Sequence, residues 1–169
     1  GWYTLDLFEP GSTFKPINLA LALDENIIDK DGLVEDIGKI YVGGWMIANW
    51  DELGNGLINY PEVLQFSSNV GMVKIMSALD PSTYWELLNK LGINEAIQTD
   101  LFESTPGYLK PKDVFLNQPI EQAVASFGQG FSISPLKLAQ LHAALANGGN
   151  EVIPHITYEF KNEINNIDK

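Results

Sequence analysis

The stretch EPGSTFKP, residues 9–16, joins a proline–glycine turn to the start of an apolar segment. Apolar side chains recur at helical spacing from Phe14 to Leu21. Pro16 then falls in the first turn, where few backbone N–H groups have partners in any case. The pattern predicts a helix that begins at about Ser12.

A lysine follows the serine of this stretch after three residues, so Ser12 and Lys15 share one face of the first helical turn. Lysine accepts a proton from serine only when it is neutral, and both burial and the positive end of a helix disfavour the ammonium form. The pair is therefore a candidate nucleophile and base. The alternative is a helix-capping serine beside a solvated lysine, and an isolated S-x-x-K pattern favours that alternative.

A second group of polar residues lies in FSSNVGMVKI, where Ser67 and Asn69 stand at another junction between a loop and a predicted helix. Taken alone, such a serine–serine–asparagine group would be an ordinary helix cap. Its value as evidence comes from its combination with EPGSTFKP and with SFGQGFSISPLKLAQLHAALANGG, residues 126–149.

The periodicity and the breakers of the remaining sequence predict a chain of helices with few strands. Residues 33–50 contain paired glycines between short alternating stretches, which predicts a small hairpin or flap. Residues 98–119 show no period and are predicted to be an irregular loop. Predicted helices cover residues 69–79, 81–91 and 135 to about 147, and VIPHITYEF, residues 152–160, is predicted to begin a strand.

Composition narrows the classes of function. The chain has 169 residues, 45% of them hydrophobic, and a formal net charge of −12. That charge repels phosphate backbones, so no nucleic acid is expected as a partner. The sequence has no cysteine, no run of 18 apolar residues and no signal-peptide pattern. Any membrane anchor is therefore expected outside these residues.

The two polar groups and the glycine-rich stretch together resemble the penicillin-binding proteins, within them the class B transpeptidases. This superfamily carries S-x-x-K, a serine–x–asparagine group and K-T-G. The first is Ser12-Thr13-Phe14-Lys15, preceded by EPG, and the second is Ser67-Ser68-Asn69. The stretch LGINEAIQTDLFESTPGYLKP is also similar to the family, so the resemblance covers nearly the whole chain.

The resemblance implies an α+β fold of the serine transpeptidase and β-lactamase type, truncated, with residues 1–169 forming mainly its helical part and its first strands. No lysine after Asn69 precedes a Ser-Gly or Thr-Gly pair, so the third motif is missing here and is expected beyond Lys169. We therefore expect a partial transpeptidase domain that reacts poorly alone.

The resemblance also implies roles for four residues. Ser12 would attack the D-Ala-D-Ala end of a peptidoglycan stem peptide, with Lys15 as the base. Ser67 would relay a proton toward the leaving group, and Asn69 would orient the peptide and Lys15. β-Lactams would acylate the same serine, and no metal or organic cofactor is implied.

The implied location is the extracytoplasmic face of a bacterial cytoplasmic membrane, with cell-wall machinery such as a lipid II polymerase as a partner. Two alternatives stay open: a D,D-carboxypeptidase or β-lactamase-like hydrolase, and a catalytically silent module that binds peptidoglycan or a partner protein. His142 lies on the apolar face of a predicted helix and is expected to be a packed core histidine.

Overall fold

The computed structural model describes residues 1–101 and 103–157, and more of these residues lie in helices than in strands. A 3₁₀ turn, Gly11–Phe14, leads directly into α2. The helices are α1 Trp2–Leu5, α2 Lys15–Asp24, α3 Tyr60–Gln65, α4 Asn69–Met76, α5 Pro81–Lys90, α6 Lys112–Asn117, α7 Pro119–Ala125 and α8 Pro135–Ala146. The strands are β1 Leu33–Asp36, β2 Lys39–Val42, β3 Trp45–Ala48 and β4 Gly56–Asn59.

The four strands form two small antiparallel sheets. Strands β2 and β3 pair as a hairpin, and Gly43 and Gly44 at its turn have φ values of 56° and 87°. This left-handed backbone favours glycine, so the hairpin predicted from the paired glycines is confirmed. Strands β1 and β4 also pair, with Leu33 opposite Asn59, and they flank the hairpin in the sequence. This second pairing was not predicted.

The predicted helix starts are confirmed by their caps. Ser68, Asp80 and Ser134 each accept a hydrogen bond from the backbone N–H three residues later, at the starts of α4, α5 and α8. The end of α5 is also as predicted, because Gly92 follows it with a φ of 73°. Short polar side chains thus set where these helices begin.

The core lies between α2, α4, α5 and the loop that precedes α8. Phe14, at the end of the 3₁₀ turn, is fully buried and packs edge-on against Phe131 with ring centroids 4.8 Å apart. The buried cluster also takes in apolar side chains from β1, β4 and α3. Aromatic packing in the core therefore fixes the residue that directly precedes α2.

Two predictions differ from the structure. The irregular loop predicted for residues 98–119 is wrong at its end, where α6 forms and buries Phe115 against Tyr84. Tertiary packing supplies the stability that this short helix lacks by itself. The strand predicted from Val152 is absent from residues 152–157, and the rest of that stretch lies outside the described residues.

Within the described part of the chain, no helix has both the length and the apolar character needed to cross a membrane.

Candidate active site

Ser12 lies at the exposed N-terminal end of the 3₁₀ turn that precedes α2. Its side chain caps no helix, because the residues at the cap positions are Pro10 and Phe14 and neither start has a side-chain cap. Gly11 adopts a φ of 57°, and its N–H donates to the Gly128 carbonyl at 2.8 Å. The Ser12 hydroxyl therefore faces solvent on a turn whose backbone is held by the hydrogen bond from Gly11 to Gly128.

Lys15 is almost fully buried, at 1% exposure, at the first position of α2. Its ammonium donates to the Ser67 carbonyl at 2.6 Å, to Ser67 Oγ at 3.0 Å and to Asn69 Oδ1 at 2.8 Å. Loss of water around the charged form lowers the pKa of Lys15 from 10.5 to about 8. The structure thus joins the two polar groups of the sequence through this one side chain.

Ser67 lies between Lys15 and Ser12. Its hydroxyl oxygen is 3.0 Å from Ser12 Oγ, while the same oxygen accepts from the Lys15 ammonium. In the described part of the chain, no hydrogen bond connects Lys15 to Ser12 directly. Ser67 also has a φ of 53°, which is uncommon for a residue with a side chain and turns its carbonyl toward Lys15.

Asn69 is the first residue of α4, and its side chain faces the site instead of capping the helix. Its Oδ1 accepts from Lys15, and its Nδ2 donates to the Ala48 carbonyl at 2.9 Å. The cap is supplied by Ser68, whose Oγ accepts from the Gly71 N–H at 2.8 Å. The middle serine therefore has the structural role, which leaves Ser67 and Asn69 for the site.

Two residues behind the site were missed by the sequence reasoning. Asn49 follows β3, and its Oδ1 accepts from the N–H groups of Asn69 at 2.9 Å and Val70 at 3.2 Å. The buried carboxylate of Asp36 holds the other end of the Asn49 amide through two contacts of 2.9 Å. Asn49 lies inside the hairpin or flap predicted for residues 33–50, and no pattern in the sequence indicated its distant partners.

His142 is not the packed core histidine that the sequence predicted. Its ring is partly exposed, and Nε2 lies 2.7 Å from the Thr13 carbonyl. A carbonyl oxygen only accepts, so Nε2 carries the hydrogen in this contact. The sequence pattern placed His142 on the apolar side of α8. It could not predict this contact, because Thr13, which supplies the carbonyl, is 129 residues away in the chain.

The glycine-rich loop after α7 forms the other side of the site. The Gly130 N–H donates to Glu9 Oε1 at 2.9 Å, which ties this loop to the EPG turn. A cavity of about 350 Å³ lies beside Asn69 and is lined by the hairpin and this loop, including Trp45, Met46 and Gln129. This open depression adjoins Asn69.

A comparison with known families decides what this arrangement is related to. The family described as "Penicillin binding protein transpeptidase domain" matches residues 3–169. The chain belongs to the penicillin-binding protein transpeptidase family. The family expected from the sequence is therefore confirmed.

Individual relatives agree with this family. The chain is 42% identical to a "Peptidoglycan D,D-transpeptidase FtsI homolog" from Mesostigma viride, over 96% of this chain and 29% of that protein. A similar protein from Nephroselmis olivacea is 42% identical over 92% of this chain and 26% of its own length. This family member thus spans less than a third of those two relatives.

A solved structure also matches this family member in fold. The transpeptidase domain of Burkholderia pseudomallei penicillin-binding protein 3 has a TM-score of 0.83 and 32% identity, covering 91% of this chain and 46% of that one. The predicted α+β serine transpeptidase fold is confirmed by this likeness.

Among the described residues, no three or more His, Cys, Asp or Glu side chains group as metal ligands.

Proposed function

We propose that the protein containing this sequence is a serine-type peptidoglycan D,D-transpeptidase. The observation that carries the proposal is the continuous contact from the buried Lys15 ammonium through Ser67 Oγ to the exposed Ser12 Oγ. A serine nucleophile requires a nearby general base, and a lysine with a lowered pKa that reaches the serine through a second hydroxyl meets this requirement. The names of the relatives, which include D,D-transpeptidases of peptidoglycan, support the same conclusion.

In the proposed acylation step, Ser12 Oγ attacks the carbonyl carbon of the penultimate D-Ala of a stem peptide. The Oγ–C bond forms, and the C–N bond to the terminal D-Ala breaks. The Ser12 proton passes to Ser67 as Ser67 gives its own proton to neutral Lys15, since hydroxyl hydrogens rotate to suit either partner. Ser67 then gives a proton to the departing amine and takes one back from the Lys15 ammonium, which leaves Lys15 neutral.

In the second step, an amine of a neighbouring stem peptide attacks the acyl-enzyme. A new amide C–N bond forms, the C–Oγ bond breaks, and the proton released by the amine returns to Ser12 along the same contacts. Water in place of the amine would give hydrolysis. The acceptor therefore decides between a transpeptidase and a carboxypeptidase.

Asn69 and the backbone of Ser12 have supporting roles in this proposal. Asn69 Oδ1 fixes Lys15, and its position beside the 350 Å³ cavity suits contact with the stem peptide. The Ser12 N–H donates to no other group among the described residues, so it is available to a developing oxyanion. β-Lactams, whose strained amide resembles D-Ala-D-Ala, would acylate the same oxygen.

We also propose the setting of the reaction. Stem peptides of peptidoglycan are the substrates, and a lipid II polymerase that supplies new glycan chains is a partner. The site would face the extracytoplasmic side of a membrane, where the cross-linked polymer lies. The relatives named as FtsI homologues support a role in cell-wall synthesis.

The test is covalent labelling of the native protein that contains this sequence with a fluorescent penicillin. We expect Ser12→Ala to abolish labelling while the protein stays folded, because the Ser12 side chain caps no helix. Thr13→Ala is the matched control: it removes the neighbouring exposed hydroxyl, whose one hydrogen bond within the described residues goes to the Pro10 carbonyl, and should keep labelling.

Two outcomes would contradict the proposal. Persistent labelling of folded Ser12→Ala would exclude Ser12 as the nucleophile, and an unlabelled native protein would indicate a silent binding module. Incubation with a stem-peptide donor and an amine acceptor then separates the remaining candidates. Cross-linked product supports the transpeptidase, and hydrolysis alone indicates a carboxypeptidase or a β-lactamase-like enzyme.

A further inference from the structure

A buried polar network lies directly behind Asn69 and belongs to none of the sequence motifs. Its centre is Asn49, which is 5% exposed, and its base is the Asp36 carboxylate, which is 1% exposed. Burial of two polar side chains of this kind costs free energy unless all their groups are hydrogen-bonded.

The contacts around Asn49 determine the orientation of its amide. The Nδ2 side meets only acceptors, namely both Asp36 oxygens and the Leu53 carbonyl, each at 2.9 Å. The Oδ1 side meets backbone donors of Asn69 and Val70. A flipped amide would place N–H groups against N–H groups, so Asp36 fixes Oδ1 toward the start of α4.

Asp36 itself is held as a carboxylate. Burial alone raises its pKa, but hydrogen bonds from surrounding groups, that of Asn55 being the largest, outweigh this and lower the pKa overall. The Gly38 N–H and the Asn55 amide bind its oxygens at 2.9 and 2.7 Å. The acceptor end of the network therefore stays charged at neutral pH.

Asn69 is held at two points by this part of the chain. Its backbone N–H binds Asn49 Oδ1, and its side-chain Nδ2 binds the carbonyl of Ala48, the residue before Asn49. Its remaining side-chain polar atom, Oδ1, accepts a hydrogen bond from Lys15 Nζ at 2.8 Å. The position of this acceptor thus depends on residues 48 and 49.

We propose that Asn49, oriented by the buried Asp36 carboxylate, is a positioning residue that fixes Asn69 against Lys15 for the acylation of Ser12. This inference rests on the proposed function. Among the described residues, Asn49 makes no hydrogen bond to Lys15 or Ser12, so it acts through the start of α4. A displacement of the order of 1 Å in such a site lowers a reaction rate by about 10²-fold.

The test measures labelling of Ser12 by a fluorescent penicillin between pH 6 and pH 10 in the native protein that contains this sequence. The variant is Asn49→Ala, and thermal unfolding is recorded in parallel. Asp80→Ala is the matched control, because Asp80 also accepts a backbone N–H at a helix start but caps α5, away from the site. Comparison of the two variants separates the effect of losing a helix cap from the effect of losing the proposed positioning of Asn69.

We expect Asn49→Ala to slow labelling by about 10²-fold and to move the midpoint of the pH profile to lower pH. The midpoint falls because Lys15 loses an acceptor that favours its ammonium form. Asp80→Ala should lower the unfolding temperature and leave the midpoint in place. A change in stability alone does not move that midpoint.

An exchange of the two side chains gives a second, independent test. Asp36→Asn alone sets two amides against each other, and Asn49→Asp alone sets two carboxylates against each other. The double variant restores a donor facing an acceptor between positions 36 and 49 and keeps an acceptor at the start of α4, while a carboxylate at position 49 faces the Leu53 carbonyl in the double variant as it does in Asn49→Asp. We expect the double variant to label faster than either single variant, which is the signature of a direct coupling.

The results that overturn the inference are distinct from those that overturn the proposed function. A midpoint for Asn49→Ala equal to that of Asp80→Ala contradicts the positioning role. If Asn49→Ala does not fold, a double exchange variant that labels no faster than the faster of the two single variants contradicts it. A native protein that is not labelled at Ser12 contradicts the proposed function and this inference with it.

Discussion

At the scale of single residues, Lys15 and Ser67 show how two short patterns become one site. Lys15 is buried with three oxygen acceptors around its Nζ, two of them on Ser67. Ser67 has a left-handed backbone, with a φ of 53°, that directs its carbonyl at the lysine while its hydroxyl contacts Ser12. The strained backbone therefore lies at the residue that joins Lys15, the proposed base, to Ser12, the proposed nucleophile.

The pKa of Lys15 gives a pH dependence with a definite sign. The pKa is lowered to about 8, so about one lysine in ten is neutral at pH 7 and most are neutral at pH 9. Because only the neutral form accepts a proton, we expect acylation by a penicillin to rise about tenfold from pH 6 to pH 7 and to level off above pH 8. The measurement is the labelling rate across this range.

The same prediction has a variant that keeps the charge. Lys15→Arg should abolish labelling at every pH in this range, because guanidinium does not release its proton near neutral pH. A folded Lys15→Arg protein that labels rapidly at pH 7 would mean that another group is the base. A flat profile for the unaltered protein would argue against Lys15 in the same way.

At the scale of elements, α6 shows how packing creates a helix that the sequence does not signal. It has six residues, too few to be stable alone, and its side chains show no sustained helical period. Phe115 is 2% exposed and meets Tyr84 of α5 edge-on, with ring centroids 5.6 Å apart. Trp85 of α5 donates to the Lys110 carbonyl just before α6. The helix depends on α5.

We expect Phe115→Ala to lower the free energy of unfolding by about 3–5 kcal/mol, because it removes a fully buried aromatic ring and leaves a cavity. The matched control is Leu116→Ala on the same helix. Leu116 is 36% exposed, so its loss should cost less than about 1 kcal/mol. Denaturant unfolding of the two variants measures the difference, and equal costs would contradict the packing argument for α6.

At the scale of the whole molecule, distant parts of the chain meet at the turn that carries Ser12. Phe8 pairs with Ile133 as an isolated bridge, and Gly11 donates to the Gly128 carbonyl at 2.8 Å. A Cβ atom added at Gly128 would lie 2.1 Å from the Gly11 carbonyl oxygen. Only glycine lets the two backbones approach this closely, so the loop after α7 sets the position of the turn that carries Ser12.

We expect Gly128→Ala to displace this turn and to reduce penicillin labelling by more than tenfold, since small misplacements of reacting atoms cost large factors in rate. The matched control is Gly148→Ala. Gly148 has a similar φ of 81° but no atom within 4 Å of the added Cβ, so it shares the backbone strain of about 1–2 kcal/mol without the clash. Equal labelling of the two variants would contradict the close-approach argument.

Local chemistry made several features predictable from the sequence. The helix starts at Ser68, Asp80 and Ser134 follow from side chains that accept nearby N–H groups, and the hairpin follows from paired glycines. The family followed from two short motifs and a glycine-rich stretch, and it is confirmed. These signals lie within a few residues of the feature that they determine.

The tertiary structure alone decided what depends on residues far apart in the chain. The bond from His142 to Thr13, the support of Asn69 by Asn49 and the burial of Lys15 join residues that are 129, 20 and 52 or more positions apart. A periodic pattern records which face of an element is apolar, but it does not record which distant backbone that face meets. The candidate site is assembled by such long-range contacts, so the motifs predict its four residues, whereas the network behind Asn69 is visible only in the fold.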